Sequence, residues 1–169
     1  MTDPTDQTQP IAKRVVLAIA ARCRRILKAQ DFRTDMGQKV LLGRPTLDVE
    51  ELPALLVYSA QEEGKQERGQ FTFMTNLLAV FLEGQATWDG VDESQPELVA
   101  QDMVADLKRA VLLQGDQTLL AETGQNLARF VRYAGRVIGY PRDGSLAVSA
   151  RVRVDVEYRE KYGHPSEPV

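Results

Sequence analysis

Apolar residues recur at helical spacing near the start of the chain. Ile11, Val15, Val16, Ile19, Cys23, Ile26 and Leu27 share one half of a helical wheel, and Lys13, Arg14, Arg22, Arg24, Arg25 and Lys28 fall on or beside the other. That periodicity predicts an amphipathic helix with a basic outer face, running from Pro10, a residue suited to a first helical turn, to about Gln30. A second stripe, Val99, Met103, Val104, Leu107, Ala110 and Val111, predicts another helix, with Asp102, Asp106 and Arg109 facing away. Ser94-Gln95-Pro96-Glu97 reads as its capping box, with Pro96 inside the first turn.

Between these stripes the period shortens. Thr34-Asp35-Met36-Gly37 has turn chemistry, Lys39–Leu42 fits a short strand, and Gly43-Arg44-Pro45 ends it. After Pro53, the run Ala54–Tyr58 is almost wholly apolar, as expected of a strand buried on both faces. A charged stretch, Gln61–Gly69, reads as a loop before the strand Phe71–Leu82. In that strand Phe71, Phe73 and Phe81 share one face, with Met74, Leu78, Val80 and Leu82 mostly on the other. These two strands form a predicted long hairpin.

The last unit is a hairpin: Ala128–Tyr140, a turn at Pro141-Arg142-Asp143-Gly144, and a strand from Leu146 to Arg159. In it Ala150, Val152, Val154, Val156 and Tyr158 alternate with Arg151, Arg153, Asp155, Glu157 and Arg159, so one face must pack and the other is charged. Helix, short strand, hairpin, helix, hairpin is an α+β order: a mainly antiparallel sheet with two helices available to cover one face. Residues 1–9 and 161–169 read as flexible ends around one domain at 10–160.

Composition narrows the function classes. The chain has 169 residues and a formal charge of −3, enough length for a core without staples and no overall basic field for nucleic acid. Its single cysteine excludes an intrachain disulfide framework and a cysteine-rich zinc site. The polar, acidic start is unlike a signal peptide, and no apolar run approaches the ~18 residues of a membrane span. These features point to a protein made in a reducing cytoplasm.

No reactive constellation emerges, so no cofactor or metal site is expected. The only histidine, His164, falls among prolines near the end, and Cys23 lies on the apolar half of the first helix. Gly64-Lys65-Gln66 lacks the spacing of a phosphate-binding loop, and Asp89–Glu93 lacks the alternating ligands of a calcium loop. Glu50-Glu51 and Glu62-Glu63 have no apolar surroundings to shift them. The basic face of the first helix reads first as solvated surface, with phosphate or an acidic subunit surface as the other options. Candidate contact residues are Glu62, Lys65 and Arg68 in the charged stretch, Trp88 as loop anchor or interface residue, and Arg151, Arg153, Asp155 and Glu157 on the closing strand.

Over residues 11–160 the chain resembles the tail terminator (tail completion) proteins of long-tailed bacteriophages. The likeness lies in the amphipathic helix, the Thr34-Asp35-Met36-Gly37 turn, Gly43-Arg44, Leu52-Pro53-Ala54 opening an apolar strand, the long hairpin, the helix around Asp102–Leu107, and the charged strand ending near Tyr158. The resemblance implies a curved, mixed sheet with helices packed against it, and a non-enzymatic virion subunit of the tail or neck. Such proteins form a ring, usually of six copies, that caps the tail tube, meets the head-side connector, and lets DNA pass through its lumen without gripping it. By this likeness the charged stretch or the Trp88 region contacts the tube, and the closing strand lines the lumen or a subunit seam. Other readings are a different phage neck or head-completion subunit, or a small α+β enzyme or ligand-binding domain whose pocket the sequence does not reveal. DNA binding through the first helix conflicts with the net acidity.

Overall fold

A computed structural model describes residues 9–65, 72–112, 119, 124–142 and 144–169. Among them are two α-helices, α1 (Ile11–Cys23) and α2 (Gln95–Val111), and strands β1 (Val40–Leu42), β2 (Ala54–Lys65), β3 (Phe73–Thr87), β4 (Phe130–Gly139), β5 (Ala147–Lys161) and β6 (His164–Pro168). The strands form one sheet in the order β1-β2-β3-β5-β4, with β6 pairing β5 beyond the point where β4 ends. β1 runs parallel to β2 and the remaining pairs are antiparallel, so this is a mixed, mainly antiparallel α+β sheet.

Both helices pack on the same face of that sheet, because the alternation in the strands offers only one apolar side. Ala150, Val152, Val154, Val156 and Tyr158 of β5 are buried, together with Leu78, Val80 and Leu82 of β3 and Leu55 and Val57 of β2. They join Ile11, Val15, Ile19 and Cys23 of α1 and Met103, Val104, Leu107 and Val111 of α2 in one core. Ala54 to Val57 is buried throughout, as the apolar run predicts.

Several boundaries differ from the sequence reading. α1 stops at Cys23 rather than Gln30. Leu27 is extended, a 3-10 turn follows at Lys28–Gln30, and Asp31 sits in the left-handed region at φ 62°. Gly37 explains the early stop. Its N–H bonds the Ile26 carbonyl at 3.0 Å, and a Cβ there would lie 2.7 Å from the carbonyl oxygens of both Cys23 and Ile26. The chain doubles back on the helix end at a distance only glycine allows.

The box expected at Ser94 does not form. The Ser94 hydroxyl donates to Asp92 Oδ1 at 2.7 Å, while the Glu97 carboxylate takes the Tyr140 hydroxyl and the Gln101 amide. Gln61–Lys65, expected in a loop, continues β2 against β3 as far as Lys65 opposite Thr75. A bulge between Ser59 and Gln61 inserts one residue there, and the remaining side chains are all exposed, so burial leaves no alternation to read. Residues 66–69 of the expected loop, with Arg68, and Phe71 lie outside the described residues. The expected free C-terminal end is instead β6, which gives His164 a place opposite Lys161.

Candidate interaction surface

The helices do not cover the other face of the sheet; apart from the buried Ala54 and Leu56 at its β2 end, the alternation of β5 decides what that face carries. Across β3 and β5 the rows are Phe81 with Arg153, Glu83 with Arg151, Ala79 with Asp155, Leu77 with Glu157 and Thr75 with Arg159. Arg151, Arg153, Asp155 and Glu157, singled out from the sequence, therefore stand together on the uncovered side. Neighbouring strands add Tyr58, Phe130 and Arg132, and the turn after β1 adds Arg44, residues that sequence reasoning missed.

These groups are ordered by one another. Tyr58 stacks on Phe81 with ring centroids 5.4 Å apart and planes 17° apart. Arg44 lies 5.2 Å over Tyr58, Arg151 5.8 Å over Phe81, Arg132 5.4 Å over Phe130 and Arg159 4.5 Å over Phe73. Carboxylates hold two of these guanidinium groups from the side, Arg44–Glu83 at 3.7 Å and Arg132–Asp155 at 3.6 Å, and two further arginines, Arg153–Asp155 at 2.8 Å and Arg129–Glu157 at 2.8 Å. Asp155 is buried between its two arginines. The Arg151 guanidinium is held above its usual pKa, first by its hydrogen bond to the Tyr58 hydroxyl and further by the negative charge of Glu83. Arginines flattened on rings lose little freedom when a partner arrives, and arginine and aromatic residues are the types enriched in protein interfaces.

A shallow hollow of about 260 Å³ opens in this face, between Phe81, Gly135, Val137, Arg151 and Arg153. It sits at the β4 bulge between Tyr133 and Gly135, where Gly135 has φ 142° and nothing within 4 Å of where a Cβ would stand.

The remaining predicted contact residues do not gather there. Glu62 turns to the helix side, where its carboxylate accepts the Tyr158 hydroxyl at 2.8 Å. Lys65 is exposed at the end of β2, opposite Thr75. Trp88 follows the other end of β3, on the order of 40 Å along the strand from Thr75 at ~3.3 Å per residue. Its backbone N–H bonds the Leu146 carbonyl at 3.0 Å and its indole N–H bonds the Ser145 carbonyl at 3.2 Å, so Trp88 anchors the loop to the β4–β5 turn.

On the helix side, Lys13, Arg24, Arg25 and Lys28 are exposed as the wheel predicts. Arg14 is buried instead and bonds the Gln125 side chain. Arg22 donates to the Val111 carbonyl at 3.2 Å, and with Arg25, Phe32 and Arg109 it lines a cleft of about 390 Å³. Asp106, expected to face away from the core, is buried and accepts from the Thr34 hydroxyl and N–H, each at 2.8 Å, and from the Arg33 N–H. Cys23 is fully buried, and burial pushes its thiol up to about 12. His164 is exposed, 3.8 Å from the Glu167 carboxylate. Among the described residues no helix is long and apolar enough to cross a membrane.

No protein-family model matches this chain, and no curated protein sequence matches it.

Proposed function

We propose that this chain is a structural subunit of a phage tail, assembling with copies of itself into a ring that caps the tail tube. The ring would end tube polymerisation and offer a surface to the head-side connector. One observation carries this reading: the sheet's second face is clothed in pre-ordered arginines and aromatic rings that its own helices leave uncovered. The mixed α+β architecture is also the one that the resemblance to tail terminators implies. On this reading the ring contains six copies, forms in the bacterial cytoplasm and stays in the virion neck. DNA would pass through the lumen without specific contacts, which fits a face where Glu83, Asp155 and Glu157 offset the arginines.

The test is direct. Purified protein is examined by native mass measurement and electron microscopy, alone and with polymerising tail tubes. Closed rings, and tubes that stop growing when the protein is added, support the proposal. A chain that stays monomeric beside tubes of unchanged length overturns it. Binding to a head-side connector but not to the tube would make it another neck subunit.

A second reading rests on the arginine-lined cleft of about 390 Å³ at the C-terminal ends of both helices. It would make the chain an anion-binding domain. Two of its arginines already serve the fold, Arg22 through the Val111 carbonyl and Arg109 through the Asp31 carbonyl, which makes it the weaker reading. Raised melting temperature in millimolar phosphate, lost in Arg25→Ala, would favour it.

A further inference from the structure

The sheet has two open edges among the described residues, and they lie on opposite sides. β1 covers β2 only at Leu55, Leu56 and Val57, leaving the outer side of Ser59–Lys65 without a strand. All seven of these residues are exposed. At the far side β4 pairs with β5 alone. Unpaired strand edges recruit other strands unless something prevents it.

Direction and charge both select the partner. β2 is antiparallel to β3, β3 to β5, and β5 to β4, so β2 and β4 of one copy run in opposite directions. Copies placed side by side around an axis along the strands therefore bring β4 of one against β2 of the next as an antiparallel pair. From Arg129 to Gly139 the charged residues are Arg129, Arg132 and Arg136, with no acid. The open half of β2 carries Glu62 and Glu63 against one lysine, Lys65.

The faces agree as well. Glu63, opposite Leu77, and Arg132, over Phe130, stand on the uncovered face. Glu62, bonded to Tyr158, and Arg136, bonded to Gln101 of α2, stand on the helix side. A continuous sheet keeps like faces together, and the register that sets Glu63 opposite Arg132 sets Glu62 opposite Tyr133, with Arg136 two steps along the same face and within reach of its long side chain. Two β4 edges would set arginine against arginine, and two β2 edges glutamate against glutamate. The same charges that keep identical edges apart admit the opposite edge.

We propose that β4 of one copy adds antiparallel to Ser59–Lys65 of a second copy, entering past the end of β1 at Leu42, and that this head-to-tail junction is the seam of the ring. The inference rests on the assembly proposed above and names its seam.

The test uses Arg132→Glu and Glu63→Arg in the full chain, with folding checked by circular dichroism and assembly by sedimentation. Each variant alone should need at least tenfold more protein to assemble than the wild type. An equimolar mixture should assemble like the wild type, because copies that alternate place a glutamate opposite an arginine at every junction. If Arg132→Glu melts early, Glu63→Arg, at an exposed position of β2, carries the single-variant test on its own. Single variants that assemble at the wild-type concentration overturn the seam while leaving ring formation intact, and so does a mixture that stays apart. A wild type that never assembles, even beside a tube, overturns the ring itself.

Discussion

Asp106 of α2 holds Thr34: its Oδ2 accepts both the hydroxyl and the backbone N–H of Thr34, each at 2.8 Å. A buried carboxylate thereby fastens the α1–β1 connection to the second helix, 72 residues along the chain. Asp106→Ala would strand buried donors and should cost about 3 kcal/mol, a drop in melting temperature of roughly 6–12 °C. Asp102, paired with Arg33 at 3.0 Å in solvent, is the control, and Asp102→Ala should change stability by under about 1 kcal/mol. Equal melting temperatures for the two variants would refute the assignment.

Gly37 and Gly64 make a second contrast. A methyl at Gly37 meets the Cys23 and Ile26 carbonyl oxygens at 2.7 Å, backbone atoms that cannot step aside. Gly37→Ala should cost roughly 2–3 kcal/mol. At Gly64 the nearest atoms are side-chain ends at 3.4 Å, and Gly64→Ala should be neutral or gain about 0.5 kcal/mol. Urea midpoints decide both.

Cys23 ties stability to alkaline pH. Its thiol has an ordinary value of 9.0 in the unfolded chain and is pushed by burial to about 12 in the fold. Between those values the unfolded state sheds its proton first, so unfolding gains and stability falls as pH rises above 9.0. The slope approaches about 1.4 kcal/mol per pH unit, and Cys23→Ala should remove that component. At neutral pH a thiol reagent should label Cys23 only at the rate of opening.

The Tyr158 hydroxyl, buried and donating to Glu62 at 2.8 Å, is held well above the usual tyrosine range by burial first and by its bond to Glu62 second. In a spectroscopic titration it should ionise only as the protein unfolds. Tyr158→Phe should delete that late step and cost about 1 kcal/mol.

What was legible in the sequence follows from how each residue is buried. The α2 stripe and the β5 alternation could be read because one side of each element is apolar at every turn or every second residue. Asp106 could not, because its polarity placed it on the wet side and its reason for burial is a distant turn. The outer half of β2 was invisible for the opposite reason: exposed throughout, it has no burial pattern, and its strand state comes from β3 alone. The proline-rich segment of β6 carries no strand signal. The face formed by Arg151, Arg153, Asp155 and Glu157 was readable as a charged strand side, but Arg44, Tyr58, Phe130 and Arg132 join it only through strand order, which one sequence does not contain.

The bulge in β2 sets a phase. One extra residue between Ser59 and Gln61 decides that Glu62, rather than Gln61, turns toward Tyr158. Deleting Ala60 would straighten the strand and leave Gln61 opposite Ala79 and Glu62 opposite Leu78, so both glutamates would keep their faces; drawing Ala60 into the ladder instead would move Glu63 to the interior side and Glu62 outward. The bulge is therefore a slack residue: a single-codon loss there is absorbed without altering the chemistry of that margin, and only a change of pairing turns it to suit a different neighbour.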